Sequence, residues 1–412
     1  MNIKDKLQRI DKDYFNLLVK IGEIAESLQL KPFLVGGMVR DLLLGKENLD
    51  IDITVENDGI KLAKEMEKFC PNARVKVIHD SFKTAKVRFN FGAKSLDVDF
   101  ATTREEIYEY PAALPAVKIS TLEKDLIRRD FTINALAVSL LPRNFGEVVD
   151  FYGGLKDLTH RKICLLPNDK SFCDDPTRII RAVRFALRLG FEIEGNTNNK
   201  IISIIESGRF DNLISTIRGD RVKIEIRYLF NLSNVESVIN EFFDKGIYRL
   251  ISTELKKINI KNIYTDLENQ WLVVFGTILS SIDLDKRSSI YKNLQMTKNE
   301  SDVIEEGIIV SKKLSPNLSP FQFYTLLKPL KTESIYILKS LSNSITQAGI
   351  DNYLNKTSKI KLEITGDDIK NLGVSEGKRI GEILDNILEI KIQNPDMKRD
   401  EELKEALRLY LR

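Results

Sequence analysis

Between Phe33 and Val55 the chain reads FLVGGMVRDLLLGKENLDIDITV, and this stretch constrains the fold more than any other. A short apolar strand, Phe33–Val35, stops at Gly36-Gly37, where the backbone is free to turn. The spacing predicts a short helix over Met38–Leu44, ending at Gly45, a usual helix-closing residue. Leu49–Val55 then alternates apolar and acidic residues, so it is a strand with Asp50 and Asp52 on one face. Residues 1–150 read as mixed α/β around this unit. Further strands are expected at Arg74–His79, Thr84–Phe91 and Ser95–Ala101, and an amphipathic helix at Ile10–Leu28. Glu105–Lys118 carries two prolines and reads as loop.

The same stretch carries chemistry. Two glycines let backbone N–H groups approach a ligand closely, and a helix N-terminus attracts anions. Arg40, in the first turn of the helix, can pair bidentately with phosphate. Two carboxylates beside such a cradle are what Mg²⁺ bridging to substrate phosphates requires. Each part alone is commonplace: Gly-Gly is usually a turn, and Asp-x-Asp a solvated strand. Their order and spacing carry the signal. The combined pattern closely resembles the nucleotidyltransferase signature of the DNA polymerase β superfamily. More narrowly, it resembles the class II tRNA nucleotidyltransferase and bacterial poly(A) polymerase family.

The resemblance continues at Ile127–Leu136, IRRDFTINAL, which holds the family's R-R-D-F-T-x-N-A block intact. By itself the block also reads as a helix start, with Asp130 as cap. The resemblance implies that Arg129 faces the triphosphate and Asp130 the ribose. A ribose hydroxyl can donate to a carboxylate, which favours ribonucleotides over their deoxy forms.

The third block is Asp174–Gly190, DDPTRIIRAVRFALRLG. Acidic residues and a proline start a helix here, and Gly190 stops it. At about 100° per residue, Arg178, Arg181, Arg184 and Arg188 fall within one arc of about 120°, and the apolar residues fall on another. A solvated basic face is the plain alternative. The family has a template-like Glu-Asp-x-x-Arg block here. This chain has Asp at the first position, while Asp175 and Arg178 match. A carboxylate can accept from the amine of cytosine or adenine, and a guanidinium can donate to either ring nitrogen. Guanine and uracil present a carbonyl and a ring N–H instead, leaving both partners unsatisfied at about 1–3 kcal/mol each. One Asp–Arg pair can thus accept C and A and refuse G and U. The resemblance adds Arg181 and Arg184 as base and phosphate contacts.

Other features are less specific. Asp97 and Asp99 lie two apart on a strand, and superfamily members often carry a third carboxylate on a neighbouring strand. Asp99 is the candidate, as general base or metal ligand, and a surface strand is the alternative. The Thr102–Ser120 stretch sits where the family has a mobile segment that helps admit ATP. Ile217–Phe230 resembles the family's neck helix, where Arg221 and Arg227 are either structural or meet RNA. Ile364–Leu384 resembles the tail of many relatives. Its Lys378-Arg379 suits a phosphate backbone, and a plain helix–turn–helix is an equal reading.

Composition narrows the field. The 412 residues, enough for roughly two to four domains, carry 63 Lys and Arg against 60 Asp and Glu, for a net charge of +3. No apolar run approaches a membrane span, and the charged N-terminus lacks a signal-peptide core. Three cysteines and two histidines exclude a disulfide scaffold, a zinc site and a histidine-aspartate phosphohydrolase. Carboxylates, Arg and Lys must do the chemistry, in a reducing, cytoplasmic setting.

The expected fold is α+β: a polymerase-β-like nucleotidyltransferase head with a mixed sheet, followed by an all-α neck, body and tail. The expected divisions are 1–150 (catalytic head), 151–235 (neck, base selection), 236–330 (body) and 331–412 (tail), the last two for tRNA. The resemblance implies addition of C, C and A from CTP and ATP to a tRNA 3′ end by two-Mg²⁺ catalysis, with Asp50 and Asp52 as ligands. Gly36, Gly37, Arg40 and Arg129 then bind the triphosphate. Enzymes adding only A, only CC or poly(A) share every one of these motifs. An inactive RNA-binding relative and a small-molecule nucleotidyltransferase are the readings from other classes. Nothing in the sequence fixes the oligomeric state.

Overall fold

Alternating apolar and polar residues in the first 150 positions build a seven-stranded mixed sheet in the order β3-β4-β5-β2-β1-β8-β9. The strands are β1 (Lys31–Val35), β2 (Ile51–Glu56), β3 (Ala73–His79), β4 (Thr84–Phe91), β5 (Lys94–Thr102), β8 (Ala137–Ser139) and β9 (Val148–Val149). Only β2 and β5 pair in parallel; the other pairings are antiparallel. The computed structural model describes residues 1–110, 113, 115–168, 170–215, 219–258, 267–315, 317–375 and 377–411. Ile217 and Arg218 of the expected neck segment, Pro111 of the expected loop and Glu376 of the tail segment lie outside the described residues.

The strand period of two sorts the side chains. Ile51, Ile53 and Val55 of β2, Val87 and Phe89 of β4, and Val98 and Phe100 of β5 enter one buried core. Helices Lys12–Ser27, Gly37–Leu43 and Gly59–Phe69 cover that face, contributing Leu17, Leu18, Ile21, Met38, Val39, Leu62, Ala63 and Met66. On the other face, Phe33 and Val35 of β1 and Ala137 of β8 are sealed by Leu122, Leu126, Ala135 and Leu166. The β2, β5 and β4 portion of that face carries Asp52, Asp97, Asp99, Lys86 and Arg88 instead.

The stretch expected as loop is partly strand. Arg104–Ile107 (β6) and Ala116–Ile119 (β7) pair antiparallel, with Arg104 opposite Ile119. The prolines misled because they fall in the connection, where no ladder N–H is needed.

Beyond the sheet the chain is helical. The arginine-bearing helix spans Thr177–Leu189 and ends at Gly190, whose φ of +70° is the left-handed closure that glycine permits. It starts after Pro176, while Ser171–Asp174 forms a separate turn of helix before it. The chain divides into two compact units, Met1–Glu225 with Asn240–Thr253, and Ile226–Ile239 with Glu254–Arg412. In the second unit, helix Gln270–Leu279 is buried along its whole length, including Trp271. Separate apolar clusters form around Phe323, Leu338 and Ile350, and around Ile369, Ile387 and Ala406. Among the described residues no helix is long and apolar enough to cross a membrane.

Candidate functional site

The Gly-Gly turn places backbone beside an acid and a guanidinium. Gly36 has φ +78°, and a Cβ there would lie 3.2 Å from Asp52 Oδ2 and 3.5 Å from Arg129 Nη1. Only glycine leaves that space open. A Cβ on Gly37 would lie 3.3 Å from Asn48 Nδ2. Val35, at the end of β1, is the cross-strand partner of Asp52, and Asp99 is the partner of Asp52 on its other side. Asp50 precedes β2 and is exposed.

The acids crowd one another. Burial, then the charges of Asp50 and Asp99, push the Asp52 carboxyl up to about 6, against the pull of Arg129 and Lys86. A carboxylate whose charge is this costly is a ready partner for an added cation. Arg129 itself donates to the buried Asp125 at 3.2 Å, and its Nε is buried without a hydrogen-bond partner. An orphaned donor beside a glycine turn fits an anionic ligand. Among the described residues no group of three or more His, Cys, Asp or Glu side chains is arranged to hold a metal ion. The crowded Asp50 and Asp52 carboxylates would suit Mg²⁺ in its common mode, with two carboxylates as ligands and substrate phosphate oxygens completing the shell.

The Arg40 guanidinium is buried, with the residue 2% exposed, and its Nη2 would lie 3.6 Å from a Cβ on Gly37, so it backs the glycine turn. It donates to both oxygens of Asp41 at 2.8 and 2.9 Å, and to Asn134 Oδ1 at 2.6 Å. The short helix turns this residue toward Asn134 and the Phe185 ring, where a buried charge survives only if paired.

The arginine helix is paired internally as well. Arg181 donates to Asp130 Oδ2 at 2.8 Å and to Glu225 at 2.8 Å, and Arg184 donates to Glu225 at 2.8 Å. Arg188 reaches Asp41 at 3.3 Å. Arg40, Arg181 and Arg184 all lie over the Phe185 ring, at 5.0, 5.3 and 4.5 Å from its centre. The like charges on one face are thus compensated by the protein's own acids and one aromatic ring. Asp130 is fully engaged: Oδ1 accepts from the Phe131 N–H and Asn134, and Oδ2 from Arg181. Burial pushes its carboxyl up, but Arg181 and Asn134 outweigh it and hold it below the ordinary range.

Asp175 and Arg178 sit side by side, Oδ2 to Nε 4.0 Å. Asp175 accepts from the Thr177 N–H and hydroxyl and, at 2.6 Å, from Arg221. Arg178 donates to the Ser171 hydroxyl and the Arg128 carbonyl. Arg221, expected as a structural or RNA-facing residue, thus lies on the Asp175–Arg178 pair. Lys378 and Arg379 are exposed on the first turn of helix Gly377–Gln393. With helix Gly366–Asn371 they form the helix–turn–helix alternative, and Arg379 rests against Tyr410.

Sequence reasoning passed over Asp41, Lys86, Asp125, Ser171, Phe185 and Glu225. A signal existed for Lys86. Lys86-x-Arg88 alternates as Asp97-x-Asp99 does, which suggests facing strands. Asn134 lay within the quoted block without an assigned part.

Known proteins resemble this chain in sequence and in fold. Residues 32–164 match the poly A polymerase head domain. The A-adding tRNA nucleotidyltransferase of Geobacter sulfurreducens is 34% identical over 95% of this chain. The chain spans 47% of that relative's length. A solved CCA-adding enzyme in apo form is 30% identical, with a TM-score of 0.81 and 99% of both chains covered. The Thermotoga maritima CCA-adding enzyme complexed with tRNA-CCA is 28% identical, with a TM-score of 0.80, covering 100% of this chain and 99% of that one. A mixed-sheet head and helical remainder, an acid pair at the start of β2 and the close match to these proteins lead to one conclusion: the chain belongs to the class II tRNA nucleotidyltransferase family of the polymerase β superfamily.

Proposed function

We propose that this chain adds C, C and A, from CTP and ATP, to the 3′ end of tRNA in the cytoplasm without a nucleic-acid template. The RNA 3′-hydroxyl oxygen bonds to the α-phosphorus, the α–β phosphoanhydride bond breaks, and pyrophosphate leaves. The observation that carries the reading is the convergence of Asp52, Gly36 and Arg129 beside Asp50, in the same unit as Asp175 and Arg178.

Asp50 and Asp52 would hold Mg²⁺, which when bound offsets phosphate charge and makes the 3′-hydroxyl a better nucleophile. Gly36 and Gly37 keep the turn open for phosphate oxygens, and the unpartnered Arg129 Nε–H is available to them. Arg40 acts from behind, fixing Asn134 and through it Asp130. Asp175, fixed by Thr177 and Arg221, and Arg178, fixed by Ser171, meet the Watson–Crick edge of the incoming base. Residues 1–150 serve as catalytic head and 151–235 as base selector. Residues 236–330 and 331–412 grip tRNA, with Lys378 and Arg379 as backbone contacts.

A second reading is addition of the terminal A alone. The name of the Geobacter relative, at 34% identity, favours it. The solved relatives at 30% and 28% favour full CCA addition. One series separates them: tRNA ending at the discriminator base, at C or at CC, each with labelled CTP or ATP and Mg²⁺. Completion of CCA on all three supports the first reading. Extension of only the CC-ended tRNA, by A, selects the second. No incorporation on any acceptor overturns both.

A further inference from the structure

Two cross-strand pairs flank the acid pair. The register sets Lys86 of β4 opposite Asp99 of β5, and Arg88 opposite Asp97. Arg88 grips Asp97 as a fork, at 2.6 and 2.7 Å. The Lys86 ammonium lies 3.0 Å from Asp99 Oδ2. Asp52 stands next to Asp99 on the adjoining strand. Of the four acids here, Asp97 and Asp99 each hold a cation from the neighbouring strand. Among the described residues, neither Asp50 nor Asp52 makes an ion pair.

We propose that Lys86 is a positioning residue that holds Asp99 out of the metal site, so that Asp50 and Asp52 alone grip the ion. The proposal rests on the metal-pair reading above. Neighbouring strands lie about 4.8 Å apart, so a released Asp99 carboxylate would be within reach of an ion on Asp52. Lys86 and Asp99 side chains are 40% and 45% exposed, so their pair adds little to stability. Its weight is electrostatic. Lys86 feels Asp97 and Asp50 as well as Asp99, and Asp52 feels Lys86. A lysine suits the task because its compact charge sits on a flexible stem, whereas the Arg88 fork is bidentate.

The test is Mn²⁺ binding to the nucleotide-free full chain, read by electron paramagnetic resonance, which requires no RNA and no turnover. Lys86→Met is expected to tighten Mn²⁺ by about three- to tenfold, the order set by removing one unit charge near the ion. Adding Asp99→Asn to Lys86→Met is expected to return the affinity to within about twofold of the parent, since the net charge is restored. Asp99→Asn alone is expected to weaken binding much less than Asp52→Asn. Unchanged or weaker binding in Lys86→Met overturns the proposal, as does a loss in Asp99→Asn equal to that in Asp52→Asn. If Asp50→Asn and Asp52→Asn both bind Mn²⁺ like the parent, the metal pair itself is wrong, and the proposal falls with it.

Discussion

Replacing Glu225 by glutamine tests whether the arginine helix is held by the protein's own acids. The Glu225 carboxylate is buried and accepts from Arg181 and Arg184, each at 2.8 Å. Breaking a buried ion pair costs about 3–5 kcal/mol, because a charge stays behind without compensation. The cost here is smaller. Arg181 is 30% exposed and keeps Asp130 at 2.6 Å, and glutamine retains one acceptor. We expect about 2–3 kcal/mol, a rise of about 30- to 160-fold in local opening. With two compact units a single global unfolding energy is poorly defined. The assay is therefore native-state hydrogen exchange of the amides in Thr177–Leu189. Loss of protection should concentrate there and spare helix Gln270–Leu279. A change below about 1 kcal/mol refutes the reasoning, as does an equal loss in both helices.

Other predictions follow from the same geometry. Gly36→Ala forces a side chain into φ +78°, 3.2 Å from Asp52 Oδ2. It should cost about 1–2 kcal/mol of stability and depress kcat/KM for the nucleoside triphosphate at least about tenfold, measured by melting and steady-state kinetics. Asp50→Ala and Asp52→Ala should each abolish nucleotide transfer while leaving tRNA affinity, measured by filter binding, nearly unchanged. Asp125 and Asp130 are buried, yet arginines hold both carboxyls below the ordinary value. Their contribution is thus complete above the unfolded pKa near 3.9 and drains away as pH falls below it. Melting temperature should fall steeply under about pH 4, and Asp130→Asn should lose stability at neutral pH and show a shallower acid limb.

What the sequence made legible was local. The period of two marked Thr84–Phe91 to the residue, and Gly45 and Gly190 marked helix ends by the conformation only glycine takes cheaply. The acid pair, the glycine turn and the Asp175–Arg178 spacing were also visible, because each lies within one or two elements. Pairings between distant segments were not. Arg40 meets Asn134 across 94 residues and Arg181 meets Glu225 across 44, and no periodicity encodes such contacts. So the partners that hold Arg40 and the arginine face from within the protein could not be read from the sequence. The β6–β7 hairpin was hidden for another reason: its strands are four residues each and flank a proline-bearing connection.

The most direct measurement is the nucleotide selectivity of Asp175→Ala, offered all four labelled triphosphates on an acceptor the parent extends. If one carboxylate and its neighbouring guanidinium stand in for a complementary strand, GTP and UTP enter the product while some transfer survives. Should the variant go on rejecting both as firmly as the parent does, the choice of base is made elsewhere.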